Sequence, residues 1–354
     1  MARTTVATID LNALRQNFRF IQRLNPTGKT LAVIKANAYG HGALAVSRAL
    51  EQDADCLAVA FMDEARELRE QGITKAIIAL EGPYSKSEAR WAAENNVTLV
   101  VHRLAQLDWI AALSQRPHSL WLKIDTGMHR LGLMPQELDT VFSQYAELLT
   151  GDVIIFTHLA CADEENNAHT QKQLDALQQI LARYHYPVSV ANSAGIVQWS
   201  NAHGAWNRAG IALYGGRSSQ TELNLPLEPV MTLFAPIIAM RTIQPGESVG
   251  YGATWTADRE TTIATVAIGY ADGYPRHARN GTPAWCKGQR ILLAGRVSMD
   301  MLTFDVTDAQ GLEIGDMVEL WGKNQSVDEV AHCAGTIDYE LITRVSDRVP
   351  RAYE

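Results

Sequence analysis

Apolar and polar positions alternate in blocks over the first two hundred or so residues. Short, almost uniformly apolar runs of strand length are separated by segments in which apolar residues recur every three or four positions, as in an amphipathic helix. The apolar runs lie at residues 30–36, 56–61, 76–82, 97–101, 120–127, 152–160, 187–193 and 209–216. Strands this apolar are typical of a parallel sheet that helices cover. The pattern therefore predicts an N-terminal (β/α)8 TIM-type barrel rather than a doubly wound sheet.

The pattern changes after about residue 222. Strand-like segments such as residues 261–271 are then separated by turn signals, and a helix is expected only near VDEVAHCAG. This predicts a mainly β C-terminal domain. The N-terminal TTVATIDL is also strand-like and precedes a helix, so it is expected to join the β domain. We place the barrel at residues 10–222 and the β domain at 223–354, joined by the N-terminal strand at 1–9.

Composition and charge exclude several classes of partner. The 354 residues are 47% hydrophobic and 20% charged, and the net charge of −8 argues against nucleic acid or an anionic membrane. No apolar run is long enough for a membrane span, and the N-terminus lacks the apolar core of a signal peptide, so a cytoplasmic location is expected. Four scattered cysteines without a CxxC pair give no zinc spacing, and no metal is expected.

Polar residues lie at or beside the ends of the apolar runs, where the reactive groups of a barrel gather. The carboxyl ends of barrel strands share one rim, and active sites lie there. The candidates are Lys35, Lys123, Asp125, Arg130, His158, Asn192, Ser193 and Arg208. Each alone has an ordinary structural interpretation, since a strand-end lysine is usually solvated and a lone arginine usually pairs with a carboxylate. Their joint position at one rim predicts an active site.

The stretch AVIKANAYGHG (32–42) suggests the chemistry of that site. A buried amine has a lowered pKa and becomes a nucleophile, which suits a Schiff base with a carbonyl such as that of pyridoxal phosphate. The phosphate of that cofactor needs donors, which the last loops of a barrel commonly supply. Here these loops offer the Ser193 hydroxyl and the backbone N–H groups of Gly210 and Ile211. Tyr39, four residues after Lys35, could add a phenol.

Eight motifs in this chain resemble those of bacterial alanine racemases. They are KANAYGHG (35–42), KIDTGMHRLG (123–132), THLACADE (157–164), NSAG (192–195), NRAGIALYG (207–215), GYGATW (250–255), GRVSMDM (295–301) and TIDYE (336–340). They occur in the family's order over nearly the whole chain. The resemblance implies a barrel followed by a β domain, which agrees with the pattern above. It also implies a homodimer in which each active site receives residues from the partner's β domain.

The resemblance implies pyridoxal 5'-phosphate as the cofactor, bound to Lys35. After the amino acid displaces Lys35 from the cofactor, the free amine would act as the base on one face of the amino acid, and Tyr251 of the other subunit on the opposite face. His158 would hydrogen-bond and stack near the cofactor ring, and Arg208 would face the pyridine nitrogen. The residues implied to hold the phosphate region are Tyr39, Asn192, Ser193, Gly210, Ile211 and Tyr339.

The resemblance also implies a small substrate, alanine. Arg130 and the backbone amide of the partner's Met299 would meet the substrate carboxylate, and Asp300 would support them. Tyr270 would narrow the entrance, and Lys123 corresponds to a family lysine that is often carbamylated and then faces Arg130. We expect alanine to be preferred, with serine a weak substrate, because one extra group in an apolar pocket changes discrimination by only about 1–3 kcal/mol.

Three alternatives compete with alanine racemisation. A decarboxylase of the same fold type would carry a glutamate at the pyridine nitrogen, where Arg208 stands here. A racemase of broader specificity would usually carry an export signal. A non-catalytic pyridoxal-phosphate-binding protein would usually be a barrel alone. The sequence leaves open whether the enzyme supplies D-alanine for peptidoglycan or degrades it.

Overall fold

The structure, a computed structural model, describes residues 3–216 and 225–354. The chain begins with β1 (Val6–Ile9), which leads directly into α1 (Leu11–Leu24). Asp10 between them caps the helix, because its carboxylate accepts hydrogen bonds from the N–H groups two and three residues further on. Leu14 and Phe18 on the inner face of α1 are fully buried, which fixes the helix against the core.

Eight parallel strands close a barrel in sequence order, as the apolar runs predict. They are β2 (Lys29–Val33), β3 (Cys56–Val59), β4 (Ile77–Ala79), β5 (Val97–Val101), β6 (Ser119–Lys123), β7 (Asp152–Phe156), β8 (Val188–Ser189) and β9 (Trp206–Ala209). Pairing of β9 with β2 completes the ring. The helices of this part are α2 (Lys35–Tyr39), α3 (Ala43–Leu50), α4 (Met62–Glu70), α5 (Lys86–Glu94), α6 (Leu104–Ala111), α7 (Leu138–Gln144), α8 (Ala168–Leu181) and α9 (Ser193–Gln198). The predicted (β/α)8 barrel is therefore confirmed.

The last barrel strand is displaced from its predicted position. The apolar run at 209–216 predicts a strand there, but β9 ends at Ala209 and the run continues as a 3-10 helix, Ile211–Tyr214. All four residues of that 3-10 helix are buried. A uniformly buried run carries no periodicity that distinguishes strand from helix, and this accounts for the error.

The C-terminal part is built on one large sheet. Its strands are β10 (Met231–Ile243), β13 (Thr261–Val266), β14 (Pro283–Cys286), β15 (Gln289–Leu293), β16 (Leu302–Asp305), β17 (Met317–Trp321) and β18 (Arg351–Tyr353). The long strand β10 pairs with β17 on one side and β13 on the other, so β10, β13, β16, β15, β14 and β17 form a closed ring. The strand β1 joins this sheet between β10 and β18, antiparallel to the first and parallel to the second.

Shorter elements lie between the strands of this sheet along the chain. A two-stranded ribbon, β11 (Ser248–Val249) and β12 (Trp255–Thr256), encloses the segment GYGAT. Two helices, α10 (Val327–Ala334) and α11 (Asp338–Thr343), follow β17. The first coincides with the helix that VDEVAHCAG predicts, whereas α11 has no counterpart in the sequence-based expectation.

The domain limits of 10–222 and 223–354, joined by 1–9, remain a proposal. The boundary between residues 222 and 223 lies outside the described residues, as do residues 1 and 2. Among the helices in the described part of the chain, none has both the length and the apolar character needed to cross a bilayer.

Candidate active site

A cavity of about 340 Å³ lies at the carboxyl end of the barrel strands. Its lining includes eleven of the residues predicted for the site: Lys35, Tyr39, Lys123, Arg130, His158, Asn192, Ser193, Arg208, Gly210, Ile211 and Tyr339. The cavity therefore brings together side chains that follow five different barrel strands, and adds Tyr339 from α11. A polar, enclosed rim of this kind is where a barrel enzyme places its chemistry.

Lys35 stands at the start of an unusual turn. The strand β2 ends at Val33, and Lys35 is the first residue of α2, in which Ala36, Asn37 and Ala38 have φ angles of 52° and Tyr39 one of 51°. These residues form a left-handed turn, which costs L-amino acids about 1–2 kcal/mol each. The turn ends at Gly40, whose φ is 80° and where an added Cβ would lie 2.3 Å from the Ile342 carbonyl oxygen. A side chain at residue 40 is thus excluded.

The surroundings of Lys35 favour a free amine. Burial is the main cause that lowers the pKa of its ammonium group, and the positive charges of Arg130 and Arg208 lower it further. The carboxylates of Glu81 and Glu64 act in the opposite direction without cancelling the shift. A lysine with a lowered pKa is available as a nucleophile and as a base closer to neutral pH.

Lys123, the last residue of β6, is the most perturbed lysine of the cavity. Its side chain is 5% exposed, and burial lowers its pKa to about 8. Its ammonium nitrogen lies 3.8 Å from Oε2 of Glu81, the residue that partly offsets the shift. Sequence reasoning missed Glu81, although its place directly after the apolar run AIIAL was a usable signal.

Arg208 and His158 form the polar floor of the cavity. Arg208 is 3% exposed and lies in β9, where its guanidinium donates hydrogen bonds to Ser189 Oγ (2.7 Å) and to the carbonyls of Thr157 (3.0 Å) and Val190 (2.7 Å). It also donates to Nδ1 of His158 at 3.1 Å. Because a guanidinium only donates, Nδ1 accepts and the proton of the neutral imidazole lies on Nε2.

Burial is also the main influence on the pKa values of Arg208 and His158. It lowers the pKa of Arg208 to about 9, so the guanidinium remains charged at neutral pH. Burial and then the adjacent Arg208 charge hold the pKa of His158 well below its usual value. His158 is therefore uncharged at neutral pH and cannot serve there as a cationic acid.

A second part of the cavity, around Gly210, carries the Ser193 and Tyr39 hydroxyls with a free space beside them. The Ser193 hydroxyl accepts from the backbone N–H groups of Gly210 (2.9 Å) and Ala212 (3.3 Å). A Cβ added at Gly210 would lie 3.0 Å from the Tyr39 hydroxyl and 3.6 Å from Ser193 Oγ. The absence of a side chain at residue 210 thus keeps free a space that two hydroxyls border.

Two phenols at this end keep their protons. Burial, and after it the Asp338 carboxylate, raises the pKa of Tyr39, and burial likewise raises the pKa of Tyr339. Asn192 accepts from the N–H of Gly195 at 2.9 Å and so caps α9, which places Ser193 as the first helical residue rather than as the cap. Protonated phenols and a hydroxyl are donors that suit a phosphate.

Arg130 belongs to a loop that Asp125 organises. The Asp125 carboxylate accepts from the N–H groups of Gly127 (2.8 Å) and His129 (3.1 Å), and its second oxygen contacts His129 Nδ1 at 3.1 Å. These hydrogen bonds shape the loop that carries the Arg130 side chain to the cavity. Asp125 itself does not line the cavity.

Four predicted residues of the β domain do not line this cavity. Tyr251, Met299 and Tyr270 have exposed fractions of 69%, 52% and 40%, and Asp300 is also exposed. Tyr251 begins a 3-10 helix (Tyr251–Ala253) between β11 and β12, and Asp300 accepts from Arg348 at 2.7 Å. Within one chain, the predicted second base is therefore on a different surface from Lys35.

The fold and the cavity define a two-domain barrel enzyme with its active site at the carboxyl rim of the strands. The family models for the alanine racemase N-terminal and C-terminal domains match residues 9–218 and 230–353. The chain belongs to the alanine racemase family, and its enzyme class is that of the isomerases.

Individual alanine racemases are similar to this chain over nearly its full length. The chain is 47% identical to an alanine racemase of Alteromonas mediterranea over 99% of both chains, and 45% identical to the biosynthetic alanine racemase of Pseudomonas aeruginosa, again over 99% of both. The crystal structure of biosynthetic alanine racemase from Pseudomonas aeruginosa superposes with a TM-score of 0.96 at 44% identity, covering 100% of each chain. A structure of the Bartonella henselae alanine racemase, with covalently bound pyridoxal phosphate, has a TM-score of 0.91 at 32% identity and also covers 100% of each chain.

Proposed function

We propose that this protein interconverts L- and D-alanine with pyridoxal 5'-phosphate, as a homodimer with two bases at each active site. The observation that supports this best is the pairing, in one cavity, of a lysine of lowered pKa with a glycine, Gly210, whose missing side chain leaves a space beside the Tyr39 and Ser193 hydroxyls. The family match supports the reaction, and the covalent pyridoxal phosphate of the Bartonella henselae relative supports the cofactor.

The cavity residues fit the cofactor at both ends. Lys35 would hold it covalently, and Tyr39, Ser193, Gly210, Ile211, Asn192 and Tyr339 would hold its phosphate. The gap at Gly210, which a single Cβ would fill, supports the second assignment. When bound, pyridoxal phosphate withdraws electrons from the amino acid and makes its α-hydrogen acidic.

Lys35 is proposed as the base on one face of the substrate, a role that its amine would take once the substrate amino group had replaced it on the cofactor. Burial lowers the pKa of its ammonium group, which favours the neutral amine that a base requires. Racemisation also requires a proton to be delivered to the other face. A single base fixed on one side favours return of the proton to the same side.

Tyr251 is proposed as the second base, supplied by the other subunit. Its phenol is 69% exposed and lies outside the cavity of its own chain, which supports a role across a subunit contact. Met299 and Tyr270 share this exposure. In the proposed dimer the Met299 amide would meet the substrate carboxylate together with Arg130, and Tyr270 would narrow the entrance.

Arg208 and His158 are proposed to control the cofactor ring. Arg208 stays charged at neutral pH, and a guanidinium carries only N–H donors, so it offers no acceptor to a protonated pyridine nitrogen. An unprotonated ring withdraws electrons less strongly, which restrains side reactions such as transamination. His158 is held by Arg208 and would contact the same ring.

A small substrate fits a cavity of about 340 Å³ that must also hold the cofactor, and alanine is the proposed one. The D-alanine formed would supply peptidoglycan synthesis, or the reverse direction would degrade it. The relative of Pseudomonas aeruginosa that is named biosynthetic supports the first of these uses.

The test is conversion of each alanine enantiomer in D2O by the purified protein. We expect L- and D-alanine to reach the same equimolar mixture, with deuterium entering at the α-carbon. Lys35→Ala and Tyr251→Phe should each lower the rate by about 100-fold or more. Tyr84→Phe, at an exposed tyrosine of the barrel, serves as the control and should not change it. A wild-type protein that holds pyridoxal phosphate but leaves both enantiomers unchanged would contradict the proposal.

A further inference from the structure

The left-handed turn Ala36–Tyr39 connects the two ends of the cavity. Lys35 precedes the turn and Tyr39 ends it, and both side chains line the cavity. Since the left-handed conformation is unfavourable for Ala36, Ala38 and Tyr39, contacts outside the turn must select it. The positions of the Lys35 amine and the Tyr39 hydroxyl depend on those contacts.

At its start, the turn is held by Glu64. One carboxylate oxygen of Glu64 accepts a hydrogen bond of 2.6 Å from the N–H of Ala36. The other oxygen accepts from the N–H groups of Ala60 (2.7 Å) and Phe61 (3.1 Å), directly before α4. A single carboxylate therefore joins the residue after Lys35 to the start of a barrel helix.

At its end, the turn is held by His41. Nδ1 of this fully buried ring lies 3.0 Å from the carbonyl oxygen of Ala38 and 2.9 Å from that of Tyr39. Both partners are acceptors, so Nδ1 carries a hydrogen and donates to them. Arg351 of β18 donates to the next carbonyl, that of Gly40, at 3.1 Å.

The rest of the His41 ring makes no hydrogen bond. Within the described part of the chain, its buried Nε2 has no hydrogen-bond partner. An apolar residue would fill the same space without the cost of burying that nitrogen. The donation from Nδ1 to the turn is therefore the contact that accounts for a histidine at residue 41.

The His41 ring is also part of an aromatic stack behind the cavity. It packs on Tyr214 with ring centroids 4.5 Å apart, and Tyr39 stacks on Tyr214 at 4.9 Å. The Tyr214 hydroxyl donates to the carbonyl of Val33, two residues before Lys35, at 2.9 Å. The stack thus fixes the chain on both sides of Lys35.

We propose that His41 and Glu64 are positioning residues, which clamp the left-handed turn so that Lys35 and Tyr39 are held at opposite ends of the bound cofactor. Neither touches the reacting atoms. The inference rests on the proposed function, because it assigns these residues to the same cofactor site. It predicts that loosening the turn impairs cofactor retention and turnover together.

A matched pair of substitutions at His41 tests the clamp. His41→Asn keeps an N–H donor near the position of Nδ1, whereas His41→Leu keeps apolar volume and removes the donor. For each holoenzyme we would measure the rate of pyridoxal phosphate loss by absorbance, kcat and KM for L-alanine, and the thermal midpoint. For His41→Leu we expect loss of the cofactor to be about tenfold faster. We also expect kcat to fall about 100-fold, with a much smaller change in KM. His41→Asn should stay within about threefold of wild type.

A second pair covers the case in which His41→Leu does not fold. Glu64→Gln replaces one of the two accepting oxygens by an amide NH2, which cannot accept a hydrogen bond from a backbone N–H. This variant should therefore also lose the cofactor faster. Glu67→Gln, at an exposed glutamate of the same helix, removes the same charge and should retain the cofactor.

Two results would overturn the proposal. One is a folded His41→Leu or Glu64→Gln holoenzyme that retains the cofactor and turns over like wild type. The other is equal impairment of folded His41→Asn and His41→Leu. Failure of the proposed function is a separate result, since it would be seen in the wild-type protein, which would then hold the cofactor without racemising alanine.

Discussion

The guanidinium of Arg208 donates a hydrogen bond to Nδ1 of His158 at 3.1 Å, and this contact sets the tautomer of the imidazole. It fixes the proton of the neutral His158 ring on Nε2, and the arginine charge contributes to the lowered pKa of the imidazole. A fixed cation and a neutral imidazole thus lie side by side in the cavity.

The four hydrogen bonds of Arg208 predict that lysine cannot replace it. Arg208→Lys has fewer donors and would leave buried acceptors unpaired, so we expect the free energy of unfolding to fall by about 2 kcal/mol and racemisation to fall with it. Urea denaturation and the alanine assay check this. Arg183→Lys, at an exposed arginine paired with Asp139, is the control and should change stability by less than about 0.5 kcal/mol. If Arg208→Lys were as stable and active as the control, these hydrogen bonds would contribute little to stability or to activity.

The lowered pKa of Lys123 predicts a pH dependence of stability. Between about pH 8 and the unfolded value of 10.5, the unfolded chain holds a proton that the folded chain has released. The free energy of unfolding should therefore rise with pH across this window, by about 3 kcal/mol from this group. Below about pH 8 the cost of burying the ammonium is fully present.

Lys123→Met isolates this contribution. The variant lacks the titrating amine, so the difference in unfolding free energy between wild type and variant should change across pH 8 to 10.5. The substitution also removes the ion-pair partner of Glu81. A carboxylate titrates far below this pH window, so that loss does not change the comparison within it. Parallel curves for the two proteins would mean that Lys123 titrates normally.

The contact between Lys123 and Glu81 predicts how carbamylation responds to charge. Carbon dioxide reacts only with the neutral amine, and the Glu81 carboxylate 3.8 Å away favours the ammonium form and would repel a carbamate. Glu81→Gln should therefore raise the carbamylated fraction of Lys123. NMR with 13C-bicarbonate measures it, and Lys123→Ala identifies the resonance. A lower fraction in Glu81→Gln would show that the carboxylate supports the carbamate instead.

The gap at Gly210 predicts a selective loss of cofactor affinity. In Gly210→Ala the new methyl group would lie 3.0 Å from the Tyr39 hydroxyl, inside the space assigned to phosphate. We expect the affinity for pyridoxal phosphate to fall about tenfold or more. Ser193→Ala removes a neighbouring hydroxyl without filling the gap and should weaken binding less. If Gly210→Ala bound the cofactor as tightly as wild type, the phosphate would not occupy the space beside Gly210.

Much of the barrel and its rim could be predicted because the pattern of apolar runs is local. Parallel strands bring their carboxyl ends to one edge, so strand-end residues as distant in sequence as Lys35 and Asn192 could be assigned to one site. The last strand was misplaced, because the buried run 209–216 fits a strand and a 3-10 helix equally well.

Features that depend on contacts between distant segments could not be predicted. The left-handed turn after Lys35 has Asn37 and Gly40 as local signals, and its restraints include the neighbouring His41 together with Glu64 and, at the far end of the chain, Arg351. The pairing of Lys123 with Glu81 likewise depends on the closeness of the ends of β6 and β4, which are separated by β5 in the barrel.

The central claim is that each active site combines Lys35 of one chain with Tyr251 of another. Lys35→Ala and Tyr251→Phe should each be nearly inactive alone. In a mixed dimer, one site would receive an intact Lys35 from the Tyr251→Phe chain and an intact Tyr251 from the Lys35→Ala chain. The other site would lack both.

The most direct test is therefore to dissociate and reassociate the two variants in equal amounts and to measure D-alanine formation from L-alanine. If subunits pair at random, half are in mixed dimers and half of their sites are intact, so about a quarter of the wild-type activity should return. Activity no greater than the sum of the two separate variants, in a mixture shown to contain mixed dimers, would contradict the shared site.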